Sequence, residues 1–197
     1  MDQVAETTLK TMLDACVPEY PRRHSGTALV VGTAWNMMED FGNALRHMND
    51  YQTYETIGIN RTGQFIQCSM LVSQDRKQIP YWRGLSLNQQ VIYHSIRPGG
   101  DESHEDHPDI YYFWPAGTGS GTSAWTAAKI ALAIGFEEVI LCGVPIESGP
   151  YIDGVLAPTF DDKMVLRKTR EAIMKDTWLH PYVKSMSGWT REFLGGI

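Results

Sequence analysis

A chain of 197 residues with 43% hydrophobic and 20% charged side chains carries enough apolar mass for one well-packed domain, which excludes wholesale disorder. Its net charge of −6 argues against indiscriminate nucleic-acid binding. No apolar run approaches the roughly 18–20 residues that span a bilayer, and MDQVAETTLKTML lacks the basic-then-apolar order of a signal peptide, so a cytoplasmic protein without a membrane partner is expected.

In chain order, residues 1–20 read as a short helix ending before Pro21. Thr27–Val31 is a buried strand, and Gly32-Thr33-Ala34-Trp35-Asn36 turns the chain into a helix over residues 37–48. Glu55–Ile59 is a second strand closed by Asn60-Arg61-Thr62-Gly63, and Ser69–Ser73 a third that stops near Asp75. Val91–Ser95 and Ile110–Trp114 follow as short strands on either side of a polar loop.

Residues 115–147 are the most informative stretch. Gly117, Gly119 and Gly121 allow positive φ and close approach to a ligand. Thr122 or Ser123 caps the following helix, whose apolar positions Ala124, Ala127, Ala128, Ala131 and Ile134 recur at helical spacing. Gly135 ends it, and Val139-Ile140-Leu141-Cys142 reads as a central parallel strand that stops at Gly143. The first turn of such a helix leaves N–H groups free and positively polarised, which suits a phosphate or carboxylate. Residues 146–160 read as loop, 161–178 as helix and 179–197 as an irregular tail.

Alternating strands and helices predict an α/β fold: a doubly wound, mostly parallel sheet flanked by helices in one domain over residues 1–197, with a helical, partly irregular segment 161–197. Ligands of such sheets sit beyond the carboxyl ends of strands, where strand order reverses. The turn after Val31, Asn60, Asp75 and the Gly143–Glu147 turn all qualify, and the helix opening at Ser123 faces the same edge.

Each motif has a functional and a purely structural reading. Gly32–Asn36 matches neither GxGxxG nor GxxxxGK[ST], so a Walker-type ATPase is not expected, and the turn is either a phosphate loop or a tight strand-to-helix connection. Asn60 could read a base, ribose or sugar hydroxyl and Arg61 could clamp phosphate, or the two form an ordinary turn with a surface arginine. Asp75 is a general base, a metal holder or a cap, and His94 a catalytic, core or rim histidine. The loop DESHEDH at 101–107 spaces two histidines among carboxylates, but reads as solvated loop rather than metal site. Trp114 and Trp125 flank the glycine loop, where they stack on a base or fill the core. Cys16, Cys68 and Cys142 form no CxxC pair and read as reduced thiols. Residues 155–197 carry 7 basic and 5 acidic side chains against 10 and 18 before them. The cluster Lys163, Arg167, Lys168, Arg170, Lys175 is thus either a solvated helix face or a surface for a phosphate-bearing partner.

The segments ALVVGTAWNMMEDF, IGINRTG, GSGTSAWTAAKIALAIGFEEVILCGVPIE and VKSMSGWTREFLG resemble a group of small bacteriophage and prophage proteins. That group is described as similar to archaeal-type 6-hydroxymethylpterin diphosphokinases and Maf-type motility accessory glycosyltransferases. Sialyltransferase-like enzymes share its glycine/serine loop, helix and strand. The resemblance implies a Rossmann-like domain binding an activated nucleotide. It places Gly32, Thr33 and Asn36 in a first nucleotide loop and Asn60 at the second strand end. Gly119, Ser120, Gly121, Thr122 and Ser123 form a second loop, with Gly143, Pro145 and Glu147 flanking the ligand. The turn 32–36 departs from the group's more usual glycine-glycine-proline-serine form, and Glu147 stands where aspartate is more common.

The expectation is therefore a phage-encoded transferase using a nucleotide sugar as co-substrate. Thr122, Ser123 and nearby amides would hold the donor phosphate, with Asp75, His94 or Glu147 as base for a hydroxyl on a small molecule, a protein or a hydroxymethylated DNA base. A pterin-type diphosphokinase would instead need Mg²⁺ and a carboxylate pair, and a non-catalytic nucleotide-binding phage protein would leave its ligand unchanged. Metal dependence and homo-oligomerisation are open at this stage.

Overall fold

The computed structural model describes residues 24–48, 53–87, 91–95, 110–113, 122–155 and 163–197. The expected N-terminal helix, the 101–107 loop, Trp114 and Gly119, Ser120 and Gly121 lie outside the described residues.

Among the described residues seven strands form one sheet: β1 (Thr27–Val31), β2 (Tyr54–Ile59), β3 (Met70–Ser73), β4 (Val91–Ser95), β5 (Ile110–Phe113), β6 (Glu138–Cys142) and β7 (Val183–Ser185), in the order β5-β4-β3-β2-β1-β6-β7. Every neighbouring pair is parallel. Consecutive parallel strands need a crossover rather than a tight hairpin. The helices are α1 (Met37–His47), α2 (Ile79–Leu85), α3 (Ser123–Ile134), α4 (Lys163–Lys175) and α5 (Gly188–Leu194).

β1 is wholly buried and alternates between two cores. Ala28 and Val30 join the side covered by α3, whereas Leu29 and Val31 join the side holding Met37 and Ala44 of α1. That is the doubly wound arrangement the alternation predicts. The spacing of α3 suggests a single apolar face, yet every residue from Ala124 to Ile134 is buried. Its alanines let it lie close on the sheet, and its one lysine, Lys129, pairs with Asp176 at 2.6 Å.

The tail is more ordered than its composition suggests. Val183–Ser185 pairs with β6, and α5 follows after Ser187. Helix α2 carries no clear sequence signal. It is a short seven-residue helix with Pro80 in its first turn.

From β1 the chain runs outward to β5, then returns through α3 to the other side of β1. Strand order therefore reverses between β1 and β6, whose ends are level: Val31 lies beside Cys142, and beside Gly58 on the other flank.

Candidate functional site

The chain crosses the sheet edge at Gly32 and Gly143, one at the end of each strand bordering the reversal. Gly32 N–H donates to the Cys142 carbonyl at 2.9 Å, and Ala34 N–H to the Gly143 carbonyl at 3.3 Å. Gly143 takes φ +62, where a side chain would be strained and would press on Met37 Cα at 2.9 Å.

The Gly143 N–H donates to Asp40 Oδ2 at 2.8 Å from the buried face of α1. The same oxygen accepts from Ser187 Oγ at 2.5 Å and Asn36 Nδ2 at 3.2 Å. Burial pushes the Asp40 carboxyl above its ordinary value, and the hydrogen bonds from Ser187 and Gly143 only partly offset this.

A cavity of about 420 Å³ opens above this edge. One wall is the start of α3. Thr122 caps the helix by accepting from Trp125 N–H at 3.2 Å, and Thr126 N–H is satisfied by the Thr122 carbonyl. Among the described residues the N–H groups of Ser123 and Ala124 find no acceptor, and both residues line the cavity. A second wall is Asn60, held at φ +52, a conformation asparagine tolerates better than most residues. Its Oδ1 is buried without a hydrogen-bond partner among the described residues. Such an atom is costly unless something donates to it.

A strap covers a third side. Trp35 N–H donates to Pro150 O, Ile152 N–H to Thr33 O, and Ala34 bridges Tyr151 antiparallel. Arg61 ties the strap down: its guanidinium meets Asp153 Oδ2 at 2.7 Å and lies 4.8 Å from the centre of the Tyr151 ring.

Of the residues named from sequence, Gly32, Thr33, Asn60, Thr122, Ser123, Gly143, Pro145 and Glu147 line this one cavity. Asn36 lies outside it, bonded to Asp40 and Ser187. Asp75 is exposed and outside the lining, with its carboxylate accepting from Lys77 N–H at 3.2 Å. His94 stands near the end of β4, paired in register with Ser73. Arg61 also lines the cavity, with its guanidinium engaged by Asp153 and Tyr151 of the strap. Trp125 is core, with its Nε1 donating to Asp176 at 2.8 Å, so it offers no face to a base.

Sequence reasoning missed Gln74, Trp82, Tyr151, Val165 and Thr169 in the lining. It also missed Asp40 beneath them. Gln74 reaches the cavity while bonding Thr126 Oγ1 at 2.5 Å, one residue before the aspartate that drew attention. The sequence signal available for Asp40 was an acid three residues after Met37 and four before Ala44, on the apolar face of α1. Among the described residues no three His, Cys, Asp or Glu side chains gather as metal ligands, and no helix is long and apolar enough to cross a membrane.

No protein-family model matches the chain, and no curated protein sequence does. Solved structures do. The chain is similar to the sialyltransferase CstII from Campylobacter jejuni in complex with the substrate analogue CMP-3FNeuAc. The TM-score is 0.53 at 12% identity, covering 85% of this chain and 84% of that one. A second CstII structure, in complex with cytidine-5'-monophosphate, gives 0.51 at 11% identity, covering 87% and 84%. At such identity the likeness establishes the fold: a Rossmann-like α/β domain of the kind that sialyltransferase has.

Proposed function

We propose that this chain is a nucleotide-sugar-dependent glycosyltransferase with a CMP-type donor. The observation that carries the reading is the convergence, at the strand-order reversal, of N–H groups on the first turn of α3 and a buried Asn60 oxygen that find no partner among the described residues. One feature asks for an anion and the other for a hydroxyl or amino donor, and a nucleoside phosphate supplies both. The fold shared with a sialyltransferase solved with CMP compounds supports the same class of donor.

In this reading Gly32, Thr33, Thr122 and Ser123 bind the donor phosphate, continued through Gly119, Ser120 and Gly121, while Asn60 bonds the ribose or base. Gly143 and Pro145 shape the floor. The acceptor oxygen forms a bond to the anomeric carbon as the bond from that carbon to the phosphate oxygen breaks. The nucleoside phosphate leaves with the electron pair, and its growing charge meets amides already oriented toward it. Glu147, on the cavity wall and without an ion-pair partner among the described residues, takes the acceptor's proton. Asp75 and His94 are weaker candidates, the first because it lies outside the cavity lining. The phage setting and a DNA-base acceptor rest on the sequence resemblance and on the basic helix α4.

The test is nucleotide release from CMP-, UDP- and GDP-sugars, paired with calorimetry. Asn60→Ala/Ser123→Ala is expected to lose measurable binding of the CMP-type donor while remaining folded. Undiminished affinity in that variant, or no release from any donor, would count decisively against the proposal.

A further inference from the structure

Ile146 takes φ +50 and is 3% exposed. A β-branched residue in the left-handed region is an outlier that persists only where its surroundings fix it. It ends a turn that already contains Gly143 at φ +62, and its neighbours Pro145 and Glu147 both line the cavity. Two contacts fix it. From one side Gly188 lies so near that a Cβ there would stand 2.4 Å from Pro145 Cβ. From the other, the guanidinium of Arg170 on α4 donates to the Ile146 carbonyl through Nη2 at 2.9 Å and Nε at 3.3 Å.

Arg170 is itself held. Its guanidinium carbon is 5.0 Å from the centre of the Trp189 ring, which stacks on Phe193 with ring centres 5.0 Å apart. Within the basic cluster of α4, Lys163, Arg167, Lys168 and Lys175 are exposed, whereas Arg170 is half-buried. Its place is against the turn, and the solvated-face reading fits only the other four.

We infer that Arg170 is a positioning residue: by gripping the Ile146 carbonyl it locks the left-handed turn and so fixes the direction in which Glu147 enters the cavity. The inference rests on the reading of Glu147 as the base of a glycosyl transfer. A lysine cannot make the same two-point grip, because its ammonium is a single donor centre on a flexible stem.

The test has two readouts on Arg170→Gln and Arg170→Lys: amide hydrogen exchange of Ile146 and Glu147, and steady-state transfer from a CMP-type donor. In Arg170→Gln, exchange at the turn is expected to accelerate while β6 keeps its protection. The kcat should fall by about a hundredfold with donor KM little changed, as for a misplaced catalytic group. Arg170→Lys should recover part of the kcat, and it carries both readouts if Arg170→Gln does not fold. Native exchange at the turn, or a loosened turn with undiminished kcat, overturns the inference. Accelerated exchange beside a wild-type protein that turns over no CMP-type donor would sink the transferase reading and leave the grip on the turn supported.

Discussion

A Cβ on Gly32 would lie 2.5 Å from the Gly143 carbonyl oxygen and 3.0 Å from Val144 Cγ2. The first of these neighbours is backbone, so the strand ends that frame the cavity would have to part. Gly32→Ala is therefore expected to cost about 1–3 kcal/mol, as overpacking does, and to weaken nucleotide binding. Urea unfolding and calorimetry would show both, and native behaviour in either would mean that the close approach of the two strands is dispensable. At this scale the sequence was readable where a residue type has few other uses. A strand-ending asparagine with φ +52 and a capping threonine before an alanine-rich helix are both in place. It was unreadable where one position decides between two directions. Gln74 faces the cavity and Asp75 does not, because successive side chains leave a strand end on different sides. Nothing in the sequence counts the residues from β3 to its turn.

Between elements, several ties are polar and buried. Asp176, just beyond α4, receives Lys129 Nζ at 2.6 Å and Trp125 Nε1 at 2.8 Å from α3. With 3% of the Lys129 side chain exposed, Asp176→Asn removes the carboxylate charge that this buried ammonium meets at 2.6 Å, and is expected to cost up to about 3–5 kcal/mol. Chemical denaturation would reveal a loss of that size, and a change near zero would mean the ammonium finds other oxygens. Asp40 ties α1 to the end of β6 and to Ser187 ahead of α5, and its carboxyl is raised above 3.8 because burial disfavours the charge. The folded state then binds the proton more tightly than the unfolded one. Between 3.8 and the raised value it carries more protons, so the contribution of Asp40 to stability falls as pH rises through that window and stays low above it. Asp40→Asn removes this slope. Its stability relative to the wild type should improve as pH rises from below 3.8 toward neutrality, in urea titrations at a series of pH values, and a flat difference would refute the assignment. These ties explain why the tail looked irregular in sequence. Val183–Ser185 is too short to show a period, and what orders it is the edge of β6 and a carboxylate on a distant helix.

For the whole molecule, the doubly wound sheet was legible because it depends on pattern: apolar runs of strand length, helical spacing between them, and turn residues at strand ends. Which strands neighbour one another is set by crossovers that close only in three dimensions. Even so, the rule that ligands gather where strand order reverses points to the edge where the cavity opens, once β6 is known to lie beside β1. The cavity at that edge joins parts distant in sequence: Gly32 after β1, Asn60 after β2, Ser123 on α3, Gly143 after β6 and Thr169 on α4. A ligand that binds there bridges elements which separate on unfolding, so its binding energy becomes folding energy for the entire chain. At a free concentration a hundredfold above Kd the added stability is about 2.7 kcal/mol. For a domain of this size each kcal/mol raises Tm by roughly 2–4 °C, giving a rise of about 5–10 °C. CMP should produce that shift, with UMP, GMP and AMP giving clearly less at the same concentration, and Asn60→Ala/Ser123→Ala should abolish it. Equal shifts with every nucleotide would mean that the site reads only phosphate. A shift that persists in the double variant would mean that neither the Asn60 amide nor the Ser123 hydroxyl holds the ligand.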